Sequence, residues 1–532
     1  MTVLPDLTDQ MLRAARAAGA DAADAMVVQG VSTSVDVREG ALEQAERAEG
    51  IDLGLRVFVG QRQANVSTSD ASARTIEEMA ARAVAMAREA PEDAYAGLAD
   101  PDALTDRRDA AGLELHDPTP EPSPADLQAD ALTAEAAART VEGISQVQQS
   151  SAGYSSRDIW LAATNGFSGG YSRTDRGTSC VAIAGTGIGM ERDYSGDSRI
   201  FQADLRTPEE IGVEAAERAV ARHGARKPPT GAYPVLFDER IASSLIGHLL
   251  VAANGSSVAR GASWLRDRLG EQVLPDGMNL IEDPHRLRAS GSRPFDAEGL
   301  PTAQRAIVED GRLTGWTLDL ATARKLGMAS TGNAARGTSA PPSPSTWNVT
   351  LDQGTASRAD LIRDMGTGLL VTSMIGSTIN PNTGDYSRGA AGHWIENGEI
   401  AYPVNECTIA GSLPEMLRQI VPANDARTHL SRVVPSLLVS GMTLAGQCPA
   451  PADPRRTYRR THRHQLCRAH RAPLGQGRRC RPGDGGRSGR RHLPAHQPPR
   501  RAPRLRLAVR RDGGHRQPPD PPKLCRGRRH SD

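Results

Sequence analysis

The chain has 532 residues and a formal net charge of +1, from 64 basic and 63 acidic side chains. Four of its six cysteines lie after residue 447, so the rest of the chain holds too few for a disulfide framework, and we expect a reducing, cytoplasmic setting. The most apolar run, residues 368–379, is shorter than the stretch of about 20 residues that a membrane-spanning helix needs. The acidic N-terminus also lacks the pattern of a signal peptide. Composition thus excludes the membrane and disulfide-rich secreted classes and predicts a soluble protein.

Strand and helix signals alternate in the first part of the chain. Residues 31–37 alternate between apolar and polar side chains, which predicts a strand. Residues 55–68 have the composition of two strands that turn near Gly60. A helix is indicated next by apolar residues at helical spacing, which are Ile76, Met79, Ala80, Ala83, Met86 and Ala87.

Two further helices are indicated by the residues at their ends. Ser123 comes before a proline and predicts a helix that ends at Gly143. Thr207 also precedes a proline, with a glutamate three positions on, and predicts a helix that ends at Gly224. The acidic, proline-rich segment 91–124 is predicted to be a long surface loop.

The pattern changes after residues 225–234, whose composition is typical of a linker. A short strand and then a helix beginning near Asp238 are predicted, and the chain beyond them is rich in strand signals. Asp-Gly at 310–311 and Asn-Gly at 397–398 each separate two apolar runs and predict tight hairpins. A mobile loop is predicted at 331–346.

These signals predict an α+β fold with four parts. A mixed N-terminal domain covers residues 1–224, the linker covers 225–234, and a β-rich C-terminal domain covers 235–447. Residues 448–532 form a separate tail with 24 basic and 5 acidic side chains, against 40 and 58 in residues 1–447. The tail is too poor in large apolar residues to offset the entropy of ordering it, so we expect disorder. It is interpreted as a frameshifted or read-through extension, or alternatively as a basic arm that binds nucleic acid.

Six separated stretches of the sequence resemble the TldD/PmbA family, and specifically its PmbA (TldE) branch. They are residues 237–249, 294–319, 323–333, 365–372, 384–411 and 435–446. The resemblance covers residues 1–447 and implies a cytoplasmic metallopeptidase system that processes or degrades peptides. It also implies a partner, because the TldD branch carries a His-Glu-x-x-x-His zinc motif on a helix and the PmbA branch is its companion.

In this sequence the zinc motif falls at Ser243, Ser244 and His248. Serine is a poor zinc ligand, and Ser244 cannot serve as the general base, whereas catalytic zinc needs three protein ligands and an open position. The resemblance therefore implies that zinc is bound by the TldD-like partner and that this chain has no metal and no catalytic residue of its own. His248 is interpreted as a packed or interface histidine with a hydrogen-bond partner, with a place in a shared peptide channel or a direct catalytic role as alternatives.

Three further candidates lie between glycines at 384 and 389. Asp385, Tyr386 and Arg388 are predicted to contact the substrate peptide or the partner, or alternatively to form a fixed loop with an internal Asp–Arg pair. Two other functions stay open. The chain could be a self-sufficient metallopeptidase, or a non-enzymatic regulatory or binding protein, although the acidic residues 1–447 argue against nucleic acid as a ligand. No membrane partner is expected.

Overall fold

The computed structural model describes residues 3–447, and the tail predicted at 448–532 lies outside them. The N-terminal half combines four helices with one sheet. Its elements are α1 (Leu4–Ala17), β1 (Ala22–Arg38), β2 (Ala41–Val59), β3 (Arg62–Thr68), α2 (Ala73–Glu89), α3 (Pro124–Arg139), β4 (Ile144–Ala163), β5 (Ser168–Ala184), β6 (Glu191–Arg199) and α4 (Pro208–Ala221). Single 3₁₀ turns occur at Pro101–Ala103, Gly187–Gly189 and Gln202–Asp204.

The N-terminal sheet has six strands in the order β3-β2-β1-β4-β5-β6, and all its neighbours are antiparallel. The order helix, three strands, helix occurs twice along the chain, first from α1 to α2 and then from α3 to α4. The two repeats meet in the sheet where β1 pairs with β4. This topological repeat has no counterpart in the sequence, where no internal repeat is visible. Alternate β1 residues such as Ala23 and Ala25 pack against α1 and α2, so Asp24 and Met26 lie on the opposite face of the sheet.

The C-terminal half is richer in strands. Its elements are β7 (Gly231–Phe237), α5 (Glu239–Ala252), α6 (Gly255–Ala259), β8 (Leu280–Glu282), β9 (Arg305–Glu309), β10 (Arg312–Leu313), α7 (Leu320–Leu326), β11 (Ala334–Ala335), β12 (Ser343–Pro344), β13 (Val349–Leu351), α8 (Arg358–Met365), β14 (Gly368–Ile379), β15 (Asp385–Glu396), β16 (Glu399–Ser412), α9 (Leu413–Arg418), β17 (Val421–Pro422), β18 (Arg432–Val433) and β19 (Leu437–Ala445). These elements confirm the predicted α+β class.

The main C-terminal sheet closes on itself. Its strand order is β16-β15-β14-β7-β19-β17, and a further pairing between β16 and β19 completes a ring of five strands. The apolar face of α5 packs into the largest core of the chain, beside residues of β7, β14 and β19. A second sheet has the order β10-β9-β8-β13-β18, and β11 pairs with β12. None of the helices within residues 3–447 combines the length and the apolar character needed to cross a membrane.

The predicted helix starts and hairpin turns are confirmed, whereas α3 and α4 end at Arg139 and Ala221, before the predicted Gly143 and Gly224. Ser123 and Thr207 each form a capping box at the start of α3 and α4. Asp310-Gly311 and Asn397-Gly398 take positive φ, as the type I′ turn requires, and each forms the two-residue turn of a hairpin.

Two predicted loops differ from the structure. Segment 91–124 is mostly irregular, but Leu113 and Leu115 are buried in a small core with Ile200. The segment 331–346 contains paired strands and contacts the N-terminal sheet, because Asn65 Nδ2 donates to the Thr338 carbonyl at 3.1 Å. The predicted division into domains stays a prediction, although β7 begins inside the range 225–234.

Candidate functional site

The candidate site is centred on helix α5. Asp238 caps its first turn by accepting a hydrogen bond from the Arg240 amide at 3.2 Å, and the buried residues Ala242, Leu245, Ile246 and Leu249 hold its inner face in the core. Ser244 and His248 are four residues apart and share a second face, which is half-buried. Ser243 stands about 140° from His248 around a regular helix, so these two side chains do not converge.

His248 lies against the ring of Tyr386 in an edge-to-face contact, with ring centroids 5.8 Å apart. Its Nε2 atom is buried without a hydrogen-bond partner, and so is the nearby Ser244 Oγ. Burial, together with the positive charge of Arg388, lowers the pKa of His248 below its ordinary value. The imidazole is therefore neutral at pH 7. The hydrogen bond that we expect for a packed histidine is absent at Nε2.

Tyr386 and Arg388 lie on strand β15, where alternate residues share a face. The Tyr386 hydroxyl donates to the Met374 sulfur at 3.3 Å, and burial raises its pKa to about 12. Arg388 Nε donates to the Gly376 carbonyl at 2.7 Å. The strand thus brings both side chains to the face that His248 contacts.

Asp385 is separated from this group. It lies on the other face of β15, is exposed, and accepts a hydrogen bond from the Thr383 hydroxyl at 2.6 Å. The alternative interpretation of residues 384–389 as a loop with an Asp–Arg pair is wrong, because the segment is a strand and the two side chains point apart. The structure brings together three of the four candidates and leaves Asp385 out.

Thr372, on a strand of this site, was not singled out from the sequence, whereas Ser244 stands at a position of the zinc motif. Ser244 Oγ and Thr372 Oγ1 are both buried without a hydrogen-bond partner. Thr372 is on β14, two residues before the Met374 that accepts from Tyr386. A polar residue inside an otherwise apolar strand is a visible signal, but β-branched threonine is so common in strands that the pattern alone does not mark it.

The donors on α5 do not fit a catalytic zinc site, which requires three ligands from His, Cys, Asp or Glu. Within residues 3–447, no group of three or more such side chains is placed to hold a metal ion. Burial raises the pKa of Cys407 to about 11 and that of Cys180 to about 12, so both are neutral thiols at pH 7. The Cys407 thiol donates to the Ala390 carbonyl at 3.2 Å.

Three family models match the chain in order. They are described as PmbA/TldA metallopeptidase domain 1, central domain and C-terminal domain, and they cover residues 23–87, 117–222 and 230–446. The chain belongs to this family, the PmbA/TldD metallopeptidase family. The metalloprotease PmbA of Escherichia coli O157:H7 is 38% identical over 429 residues, which cover 80% of this chain and 93% of that one. The chain is thereby assigned to the PmbA (TldE) branch.

Solved structures share the fold. A candidate modulator of DNA gyrase from Bacteroides thetaiotaomicron superposes with a TM-score of 0.77 at 28% identity, and the match covers 84% of this chain and all of the other. TldE from Thermococcus kodakarensis superposes with a TM-score of 0.71 at 20% identity, covering 83% of this chain and 100% of that one. At this identity the second comparison establishes the fold alone.

Proposed function

We propose that this chain is the companion subunit of a zinc metallopeptidase that processes or degrades peptides, and that a TldD-like chain is its partner. The observation that carries the proposal is the composition of α5. It has two hydroxyls and one imidazole, at Ser243, Ser244 and His248, at the positions where the resemblance to the TldD branch implies two histidines and a glutamate. The zinc in the partner would supply an activated water and polarise the peptide carbonyl.

In this proposal the residues of this chain bind and orient the peptide. The neutral His248 ring and the Ser244 and Thr372 hydroxyls carry unused hydrogen-bonding atoms, and leaving such a buried group unpaired costs about 1–3 kcal/mol. A peptide backbone offers the N–H and C=O groups that would satisfy them. Arg388 adds a positive charge on the same side, suited to a carboxylate of the substrate or of the partner.

Reconstitution tests the proposal. The full-length chain and a TldD-like chain from the same organism are purified separately and mixed, and cleavage of an unstructured peptide is followed by mass spectrometry. We expect co-elution on size-exclusion chromatography, and cleavage only when both chains are present. Cleavage by this chain alone would make it a self-sufficient peptidase. Cleavage by the partner alone, at the rate of the mixture, would leave this chain a regulatory or binding role.

The peptide-binding role is tested in the active mixture. Arg388→Ala should raise KM several-fold with little change in kcat, because Arg388 contributes binding rather than chemistry. Arg418→Ala is the matched control, since Arg418 also donates one hydrogen bond to a backbone carbonyl, that of Pro414, but is exposed on α9. Equal kinetic effects in the two variants would remove Arg388 from the proposed site.

A further inference from the structure

A second site is suggested by a cavity on the face of the N-terminal sheet that points away from its helices. This cavity, called here the inter-half cavity, has a volume of about 140 Å³ and is partly open to solvent. Met26 and Ile159 from the sheet and Phe295 from the C-terminal half form apolar parts of its wall. Its charged wall residues are Arg293, Asp296 and Arg336, and Tyr171 adds a phenol to the wall.

The Arg336 side chain is fully buried at this cavity. One of its terminal nitrogens is paired with Asp24, while the other, Nη2, is buried without a hydrogen-bond partner. Asp24 also accepts from Arg56 Nε at 2.8 Å, so a single carboxylate serves two guanidinium groups. Both arginines hold the pKa of Asp24 below its ordinary value, although burial opposes this. The three side chains together carry an excess positive charge.

The nearby carboxylates do not use the free nitrogen of Arg336. Asp296 Oδ1 accepts from the amides of Glu298 and Leu300, each at 2.9 Å, and Oδ2 accepts from the amide of Ala334 at 3.1 Å. Both carboxylate oxygens of Asp296 therefore already accept hydrogen bonds from backbone amides. Burial raises the pKa of Glu298, which favours its neutral form.

We propose that the inter-half cavity binds a small carboxylate with a short apolar body. One carboxylate oxygen accepts from Arg336 Nη2, and the apolar body packs against Met26, Ile159 and Phe295. The chemistry is shared by the C-terminal carboxylate of a short peptide and by a free short-chain acid. This site is separate from α5, and the inference does not rest on the proposed peptidase function.

Binding of butyrate and of its neutral isostere butyramide to the full-length chain, by isothermal titration calorimetry, tests the charge requirement. A hydrogen bond between charged groups contributes about 1.5–3 kcal/mol, so butyrate should bind at least roughly tenfold more tightly than butyramide. Equal affinities would show that the cavity does not require a carboxylate, and no heat from butyrate would mean that the cavity holds water only; either result would overturn the proposal. N-acetyl-alanyl-alanine and its C-terminal amide are compared in the same way, and tighter binding of the free acid than of butyrate would identify a peptide terminus as the source.

Variants locate the binding in the cavity. Arg336→Lys keeps the charge near Asp24 but removes the free nitrogen, and should weaken butyrate binding roughly tenfold. Ala335→Leu fills the cavity without changing an ion pair and should abolish binding, whereas Arg74→Lys, on an arginine whose side chain is 84% exposed, should change nothing. Butyrate affinity that survives Ala335→Leu in a folded protein would place the ligand elsewhere.

Discussion

His248 illustrates how the surroundings of one residue decide its chemistry. A histidine on a helix is a common zinc ligand, but here the neighbouring side chains are Ser244, Tyr386 and Arg388. None of them is a thiolate, carboxylate or imidazole. The ring is instead kept neutral, and its Nε2 is buried without a hydrogen-bond partner among the described residues.

The protonation of His248 gives a direct prediction. Because burial and Arg388 both disfavour the imidazolium, its pKa in the folded chain should lie below the ordinary value of 6.5. The unfolded chain then binds more protons as the pH falls through this range, so His248 contributes stability that is present above about pH 6.5 and is lost at lower pH. Titration of the imidazole nitrogens by NMR measures the pKa.

Arg388→Ala provides the internal comparison for that titration. Removing the positive charge should move the His248 pKa upward, toward 6.5. A His248 pKa at or above 6.5 in the unaltered chain, or no change in the variant, would show that the ring is more hydrated than the structure indicates.

The sequence singled out these side chains as candidates but did not predict their grouping. Asp385, Tyr386 and Arg388 stand within four residues, and flanking glycines suggested a loop in which all of them could act together. Residues 385–396 form a strand, and successive side chains of a strand point to opposite faces. Asp385 therefore lies on the face opposite to Tyr386 and Arg388. That outcome depends on pairing with β14 and β16, which are partners that local sequence does not identify.

Among the helices and strands, the features that could be predicted are those fixed by residues close together in the sequence, such as helix caps and tight turns. Helix α4 begins where a capping-box pair allows, at Thr207, and the hairpin at 397–398 turns where Asn-Gly accepts positive φ. Closure of the C-terminal ring was not predicted, because it depends on Thr408 of β16 pairing with Ala445 of β19, far apart in the chain. Helix α1 was also not predicted, although Pro5 in its first turn and the apolar spacing of Leu7, Met11 and Ala15 are helix signals.

Two turn glycines provide a matched prediction. Gly60 and Gly398 both have positive φ, but a Cβ added at Gly60 meets nothing within 4 Å, whereas at Gly398 it would lie 3.0 Å from Arg363 Cα. Gly60→Ala should cost about 1–2 kcal/mol of unfolding free energy from backbone strain alone. Gly398→Ala should cost clearly more, because α8 must shift as well. Urea denaturation of both variants measures the difference. Equal losses of unfolding free energy would mean that α8 can shift at no cost.

At the scale of the whole molecule, a buried ion cluster joins the two halves. Asp24 comes from the first strand of the N-terminal sheet and Arg336 from the segment between β11 and β12. The two residues are 312 positions apart, and neither stands in a motif, so no spacing rule connects them. The local composition therefore predicts a mobile loop here, although the segment carries the arginine that anchors it to the N-terminal sheet.

The cluster predicts a large stability effect for a small change. Asp24→Asn removes the carboxylate that both guanidinium groups share, and breaking a buried ion pair in this way costs about 3–5 kcal/mol. The control is Glu78→Gln, which breaks the exposed pair between Arg74 and Glu78 and should cost under about 1 kcal/mol. Thermal or urea unfolding distinguishes the two, and a loss below about 1 kcal/mol for Asp24→Asn would show that the halves are held together by other contacts.

We infer that the chain takes part in peptide hydrolysis without holding the catalytic metal. The most direct test is the zinc content of the full-length chain, purified alone, equilibrated with excess zinc, desalted and measured by mass spectrometry of the metal. Because α5 offers one imidazole and two hydroxyls, we expect far less than one zinc per chain and no cleavage of peptides. Close to one zinc per chain, retained together with peptidase activity, would contradict it.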